Sequence, residues 1–295
     1  MQFYFPGGRK FVLRVLSTYR YVDEALSFDV LAAIARAGIS RIEIFCVQRH
    51  WNYRNPETVR TLADWLEENR LTLQSLHSPT ERDLAPGRES GVPLAISEPE
   101  RVRRIDAVDE IKRVLEVAEH IPFRFLIQHM GHGRLAADQR RRDAAFSSLE
   151  HLSIFARERG VTIALENTPG EFTSPASLVH FLEETHLRDV KLCFDAGHAH
   201  MEDGVAAGFE VMRSRIVSAH LHDNHGLRDE HLLPFEGDID WQNFLPELAA
   251  LGGEFPAMLE LKRQASGAPS LEQIFAAFGR VEEHFVPKGA TAAGD

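Results

Sequence analysis

The stretch Val190-Lys191-Leu192-Cys193-Phe194-Asp195-Ala196-Gly197-His198 carries the plainest chemistry in this chain. Mostly apolar residues read as a buried strand. They end in a carboxylate, a glycine turn and a histidine three places on. A carboxylate at the end of a buried strand faces a large desolvation cost unless it is paired or holds a metal. The glycine lets the chain turn sharply, so Asp195 and His198 can face one point.

The pattern recurs. Apolar runs end at His77, His129, Glu166, Asp195, His220 and Glu260, and the segment after His220 adds His222, Asp223, His225, Asp229 and His231. Each residue alone has a duller explanation. A strand-end His is commonly just hydrogen-bonded, Glu166 could pair with an arginine, and Asp-x-x-His recurs by chance. Six consecutive strands ending in Asp, Glu or His are another matter, because so many buried titratable groups are hard to satisfy without cations. These are oxygen and nitrogen donors, with no thiolate at a strand end. Such a set suits a divalent ion, Zn²⁺ or Mn²⁺ first, then Mg²⁺ or Fe²⁺.

The elements that must position these groups alternate strand with helix eight times, with no break in composition. The apolar spacing predicts strands over Lys10–Ser17, Arg41–Cys46, Leu71–His77, Phe123–His129, Val161–Glu166, Val190–Asp195, Ile216–His222 and Pro256–Lys262. Helices are expected over Asp23–Ala37, Pro56–Asn69, Glu98–His120, Ala137–Arg159, Pro175–Thr185, Gly204–Ser214, Trp241–Leu251 and Ser270–His284. Pro56 suits a first helical position. Long loops fall at Ser78–Ser97 and Asp223–Asp240, and a loop that long is usually functional or disordered. Strict alternation implies a parallel sheet with right-handed crossovers. Eight units favour an α/β fold closed as a (β/α)8 TIM barrel, whose chemistry sits at the C-terminal strand ends. No G-x-G-x-x-G turn follows the first strand, which disfavours a dinucleotide fold.

The chain's 295 residues suit one such barrel of roughly 250 residues. A single domain over 1–295 is expected, with its core about 10–285 and a small polar tail from Pro287. The formal charge of −11 disfavours a broad nucleic-acid face. The run Arg140-Arg141-Arg142 reads as a solvated helix face. No apolar run approaches the ~20 residues that span a bilayer. The N-terminus lacks a basic start followed by a long apolar core. Cys46 and Cys193 fall inside strands and read as buried reduced thiols, so a cytoplasmic location is expected.

The motifs Ala164-Leu165-Glu166-Asn167, Phe194-Asp195-Ala196-Gly197-His198, His220-Leu221-His222-Asp223-Asn224, Asp229-Glu230-His231, Glu236-Gly237-Asp238-Ile239-Asp240-Trp241 and Leu259-Glu260 resemble the xylose-isomerase-like barrel superfamily. That group includes sugar phosphate isomerases/epimerases, ketose 3-epimerases and endonuclease IV proteins. The resemblance covers essentially the whole barrel. In its epimerase members one divalent metal is held by two Glu, one Asp and one His, which match Glu166, Asp195, His220 and Glu260. The two Glu also move protons, and the residue matching His198 contacts the sugar. His222 and Arg228 are further expected substrate contacts. In its endonuclease IV members three zinc ions share nine ligands. Here His77, His129 and Glu166 match one ion, the epimerase set matches a second, and His198, Asp229 and His231 match a third.

The resemblance thus implies a divalent-metal-dependent sugar or sugar phosphate isomerase/epimerase, working by proton transfer through a metal-stabilised enediolate. The alternative is a trinuclear zinc phosphoesterase. The acidic composition and the loop Ser78-Pro79-Thr80-Glu81-Arg82-Asp83, which lacks the nuclease motif, count against the nuclease. Ketose 3-epimerases carry an Arg six residues past the seventh-strand His. Gly226 stands there in this chain, and Arg228 is the nearest candidate. Glu166 and Glu260 are the expected catalytic pair, with burial raising and a metal lowering their pKa. The loop Ser78–Ser97 would cover the site. A small carbohydrate substrate and a homo-oligomer are the implied partners.

Overall fold

In the computed structural model, residues 12–82, 91–131, 133–134, 136–253, 255–264 and 267–286 are described. Eight parallel strands close a barrel in sequence order. They are β1 (Leu13–Ser17), β2 (Arg41–Phe45), β3 (Thr72–His77), β4 (Phe125–Gln128), β5 (Thr162–Glu166), β6 (Lys191–Asp195), β7 (Ile216–Leu221) and β8 (Pro256–Leu259). The last strand returns to the first, with Leu13 opposite Pro256 and Leu16 opposite Leu259. The outer helices are α1 (Phe28–Arg36), α2 (Pro56–Asn69), α3 (Arg101–Glu116), α4 (Gln139–Arg157), α5 (Pro175–Thr185), α6 (Val205–Met212), α7 (Trp241–Ala249) and α8 (Leu271–His284). None is long and apolar enough to cross a membrane.

Strand alternation aims the chemistry. Successive side chains on a strand point to opposite faces. On β5, Ile163 and Leu165 join the large apolar layer beneath the helices, while Ala164 joins a small inner cluster with Phe125, Ile127 and Cys193. Two residues beyond three of these four comes a polar one: Glu166 after Ala164, Asp195 after Cys193, His129 after Ile127. The inner wall therefore turns from apolar to titratable as it rises to the C-terminal rim.

Helix starts follow local chemistry. Ser27 Oγ accepts from Val30 N at 3.3 Å, so α1 begins at Phe28 and not at Asp23, and Thr18–Tyr21 form a 3-10 turn instead. Asn55 caps α2 ahead of Pro56. Ser270 and Gln273 form a reciprocal capping box on α8. One short helix, Ala196–His200, stands where only a glycine turn is expected. Asp195 caps it, its Oδ1 accepting from His198 N at 2.7 Å.

Within the loop after β3, Glu81–Arg82 pairs antiparallel with Val92–Pro93. Part of the expected cover, 83–90, lies outside the described residues, as do Lys10, His132 and the tail from Pro287. Cys46 and Cys193 are buried and free. Arg141 and Arg142 pair with Asp138 and Glu184 on the surface of α4 and its neighbour.

Candidate metal centre

The strand ends bring the donors into three groups. Within each, one donor atom per residue lies within 4.8 Å of all the others. The deepest group is Glu166, Asp195, His220 and Glu260. His220 Nδ1 sits 3.4 Å from Glu166 Oε1, 3.7 Å from Asp195 Oδ2 and 3.5 Å from Glu260 Oε2. The second group is His77, His129 and Glu166. Both imidazoles reach Glu166 Oε2, at 3.2 and 3.1 Å. The third is His198, His222, Asp229 and His231. There Asp229 Oδ2 lies 2.9 Å from His231 Nε2 and 3.6 Å from His198 Nε2.

These residues fit a divalent cation. Glu166 Oε1, Glu260 Oε1 and His220 Nδ1 are buried without a hydrogen-bond partner. Such orphaned atoms are costly, and a shared ion would satisfy them together. Several rings are also fixed in orientation. The nitrogen turned away from the group donates to a backbone carbonyl: His77 Nδ1 to Ser78 at 2.9 Å, His198 Nδ1 to Asn167 at 3.0 Å, His231 Nδ1 to Glu260 at 2.9 Å. Each bond fixes a tautomer and a ring orientation.

The electrostatics separate the two glutamates. Burial pushes the Glu260 carboxyl up to about 7, with the Glu166 charge adding to the rise and His220 opposing it. Glu166 meets the same burial. There the imidazoles of His220 and His129 outweigh it and hold the carboxyl well below the usual carboxylate range. Burial lowers His198, yet Asp195, Asp229 and Glu166 around it hold the imidazole well above its ordinary value.

A cleft of about 560 Å³ opens over the groups. Glu166 and Glu260 line it, while Asp195 and His220 lie behind them. His77, His129, His198, Asp229 and His231 form much of its polar wall. Tyr19, Phe45, Arg49 and Lys262 also line it, and the sequence reading did not single them out. Tyr19 sits in the turn after β1, and its ring packs 4.9 Å from Phe45 and 5.1 Å from His231. A turn residue just past a barrel strand is the signal that marks it. Thr80 and Glu81, at the start of the long loop, reach the cleft as well.

Other expected residues are placed differently. His222 is fully buried and is not part of the cleft wall; its Nε2 lies 3.0 Å from Asp195, and its ring stacks on His231 at 3.9 Å. Arg228 is exposed and also outside the cleft wall. Asp223 turns away from the ligand groups to brace its own loop. His225 is exposed and pairs with Glu230 at 2.8 Å.

Comparisons with known proteins agree with this architecture. The sequence profile of the xylose isomerase-like TIM barrel family matches residues 31–278. The uncharacterized protein MJ1311 of Methanocaldococcus jannaschii is 26% identical over 267 residues, 87% of this chain and 86% of its own length. A D-tagatose 3-epimerase-like protein superposes with a TM-score of 0.75 at 22% identity, over 92% of this chain and 97% of the other. The IOLI protein, crystallised with a binding zinc atom, gives a TM-score of 0.73 at 14% identity, over 93% and 98% of the two chains. The two structural likenesses show the fold, and the profile match spans most of the chain. This chain belongs to the xylose isomerase-like TIM barrel family.

Proposed function

We propose that this protein is a divalent-metal-dependent isomerase or epimerase of a small sugar or sugar phosphate. One observation carries the reading: of the four residues in the deepest group, the two that face the open cleft are Glu166 and Glu260. A substrate in the cleft thus meets two carboxyl groups carried at the ends of different strands, so one can take a proton while the other gives one. The cleft falls in the ~300–1,000 Å³ range of small-molecule sites. The likeness to a D-tagatose 3-epimerase-like protein supports a ketose-type substrate.

Glu166, Asp195, His220 and Glu260 would hold the ion. A divalent ion there supplies Lewis-acid polarisation of neighbouring substrate oxygens and offsets the negative charge that proton removal creates. Glu166, as a carboxylate, would take the proton from the carbon beside the carbonyl, and Glu260, entering as the protonated acid, would deliver its own proton to that carbon; exchange of the two carboxyls with solvent resets the pair. His198 orients a hydroxyl, and Tyr19 and Phe45 give the sugar an apolar wall that displaces water.

A second reading, a trinuclear zinc phosphoesterase, is favoured by the sorting of all nine matching residues into three groups. Against it stand the net charge of −11 and the pairing of cleft cations Arg49 and Arg134 with Asp23 and Glu202. The test is a panel of ketoses, ketose phosphates and abasic-site DNA assayed in D₂O. The proposal expects deuterium entering the carbon beside the carbonyl, lost on Glu166→Gln in a folded variant. Phosphodiester hydrolysis without proton exchange would overturn it.

A further inference from the structure

Beneath the deepest ligand group lies a carboxylate that the strand-end pattern does not reveal. Glu43 sits in the middle of β2 between Ile42 and Ile44, which belong to the outer apolar layer, so alternation turns Glu43 into the barrel. It is fully buried. Among the described residues, its one ion-pair partner within 4 Å is His220.

The two carboxylate oxygens have different neighbours. Ser75 Oγ donates to Oε2 at 2.8 Å and anchors that side. Oε1 has no hydrogen-bond partner, and it faces His220 Nε2, itself unpartnered, at 3.5 Å. The other ring nitrogen of His220, Nδ1, faces Glu166, Asp195 and Glu260. His220 is therefore sandwiched between a ligand group above and a lone carboxylate below.

An imidazole that offers its Nδ1 lone pair to an ion must keep its proton on Nε2. Buried without an acceptor, that N–H would be costly. His77, His198 and His231 solve the matter with backbone carbonyls. His220 has a carboxylate in that place, a stronger acceptor that also raises the basicity of the ligating nitrogen. We infer that Glu43 is a positioning residue: when an ion takes the Nδ1 lone pair, the Nε2–H of His220, unpaired and 3.5 Å away in this structure, is accepted by Glu43 Oε1, which fixes the tautomer that presents Nδ1 and tightens the hold of the deepest group on its ion. Ser75 keeps Glu43 aimed by occupying its second oxygen. This role rests on reading Glu166, Asp195, His220 and Glu260 as ligands.

Co²⁺ titration of the metal-free protein, followed by the visible absorption of the bound ion, tests both layers. Wild type should bind Co²⁺ with a histidine-containing spectrum. Glu43→Leu, close in volume but without an acceptor, should weaken binding by about 10–100-fold. Glu43→Gln should recover part of that loss, because its amide oxygen still accepts from Nε2 while its NH₂ meets Ser75. A residue that only fills space would not order Gln above Leu. The His220 Nε2–H proton resonance of the Zn²⁺-loaded protein gives a readout that does not depend on affinity. It should lie far downfield in wild type and move upfield in Glu43→Gln, whose acceptor is neutral; this arm stands even where Glu43→Leu does not fold. Equal Co²⁺ affinity in wild type and Glu43→Gln together with an unmoved resonance would overturn the role of Glu43 and leave the metal centre standing. Failure of wild type to bind Co²⁺ would overturn the metal centre, and this role with it.

Discussion

Asp223 offers a sharp test, because its position reads from sequence as another metal donor and the structure gives it a different task. Its side chain is fully buried and accepts four hydrogen bonds. Oδ1 takes Asn224 N at 2.9 Å and Ile239 N at 3.1 Å; Oδ2 takes Phe235 N at 3.0 Å and Trp241 Nε1 at 2.7 Å. The backbone of Asp223 also pairs with Leu232 in both directions at 2.9 Å. Gly237 crosses so closely that a Cβ there would lie 2.5 Å from Asp223 Oδ1. One carboxylate thus staples the segment that presents Asp229 and His231.

Bonds to a charged group are each worth ~1.5–3 kcal/mol, so four sum to ~6–12 kcal/mol before relaxation. Water and loop movement recover part of this, and Asp223→Ala should cost about 4 kcal/mol, a large share of a typical ~5–15 kcal/mol stability. Asp223→Asn keeps one accepting oxygen but turns an NH₂ toward two N–H donors, and should cost about 3 kcal/mol. Urea unfolding of the metal-free protein, followed by tryptophan fluorescence, measures both. A loss below about 1 kcal/mol in Asp223→Ala would refute the staple. So would an unchanged stability accompanied by the loss of one bound ion, which would make Asp223 a ligand after all.

Gly197→Ala places a Cβ 2.0 Å from His222 Cε1, so the ring must leave its place beside Asp195; we expect about 1–3 kcal/mol of destabilisation, read by thermal unfolding. Metal uptake should release protons and strengthen as pH rises. Despite burial, His198 is held well above the ordinary imidazole value by Asp195, Asp229 and Glu166, and His220 by Cys193 and then Glu260, Glu166 and Glu43. A raised imidazole stabilises the metal-free fold most below its unfolded pKa, and that contribution fades as pH rises through the folded value. The rise in Tm on adding Zn²⁺ should therefore grow from pH 6 to pH 8, and a shrinking increment would contradict the assignment. On α3, burial raises Glu110, but Arg54 and the Tyr53 hydroxyl, donating at 2.6 Å, outweigh it and hold the carboxyl below its ordinary value. A depressed carboxylate contributes stability above its unfolded pKa and loses it as pH falls through the folded one. Glu110→Gln should thus cost about 1–3 kcal/mol at pH 7 and progressively less in acid unfolding series toward pH 3.

The barrel and its rim were legible because two periodicities coincide. Strand–helix alternation fixes the fold, and a period of two along each strand carries Ala164 to Glu166 and Cys193 to Asp195 on the same inner face. A titratable residue at the end of an apolar run is visible without coordinates. Glu43 was not, because it stands mid-strand among Ile42, Ile44 and Phe45; the parity of β2 points it inward, but only the closed barrel puts it under His220. Asp223 and His225 show the opposite failure. In a loop no periodicity assigns a direction, so a carboxylate that caps its own backbone looks the same as one that binds a ligand. Arg228 follows the same logic: in a loop, its spacing from His220 along the chain does not tell which way it faces, and it is exposed outside the cleft wall. Tyr19 was hidden because the helix expected from Asp23 left the turn after β1 unread.

The function proposed for this barrel requires that four side chains from different strands share one divalent ion. Crystals grown with Mn²⁺ or Zn²⁺ and measured for anomalous scattering test it directly. A peak is expected ~2.0–2.2 Å from donor atoms of Glu166, Asp195, His220 and Glu260 together. Density empty at that point with the metal in excess, or an ion held elsewhere while those four side chains turn apart, would contradict it.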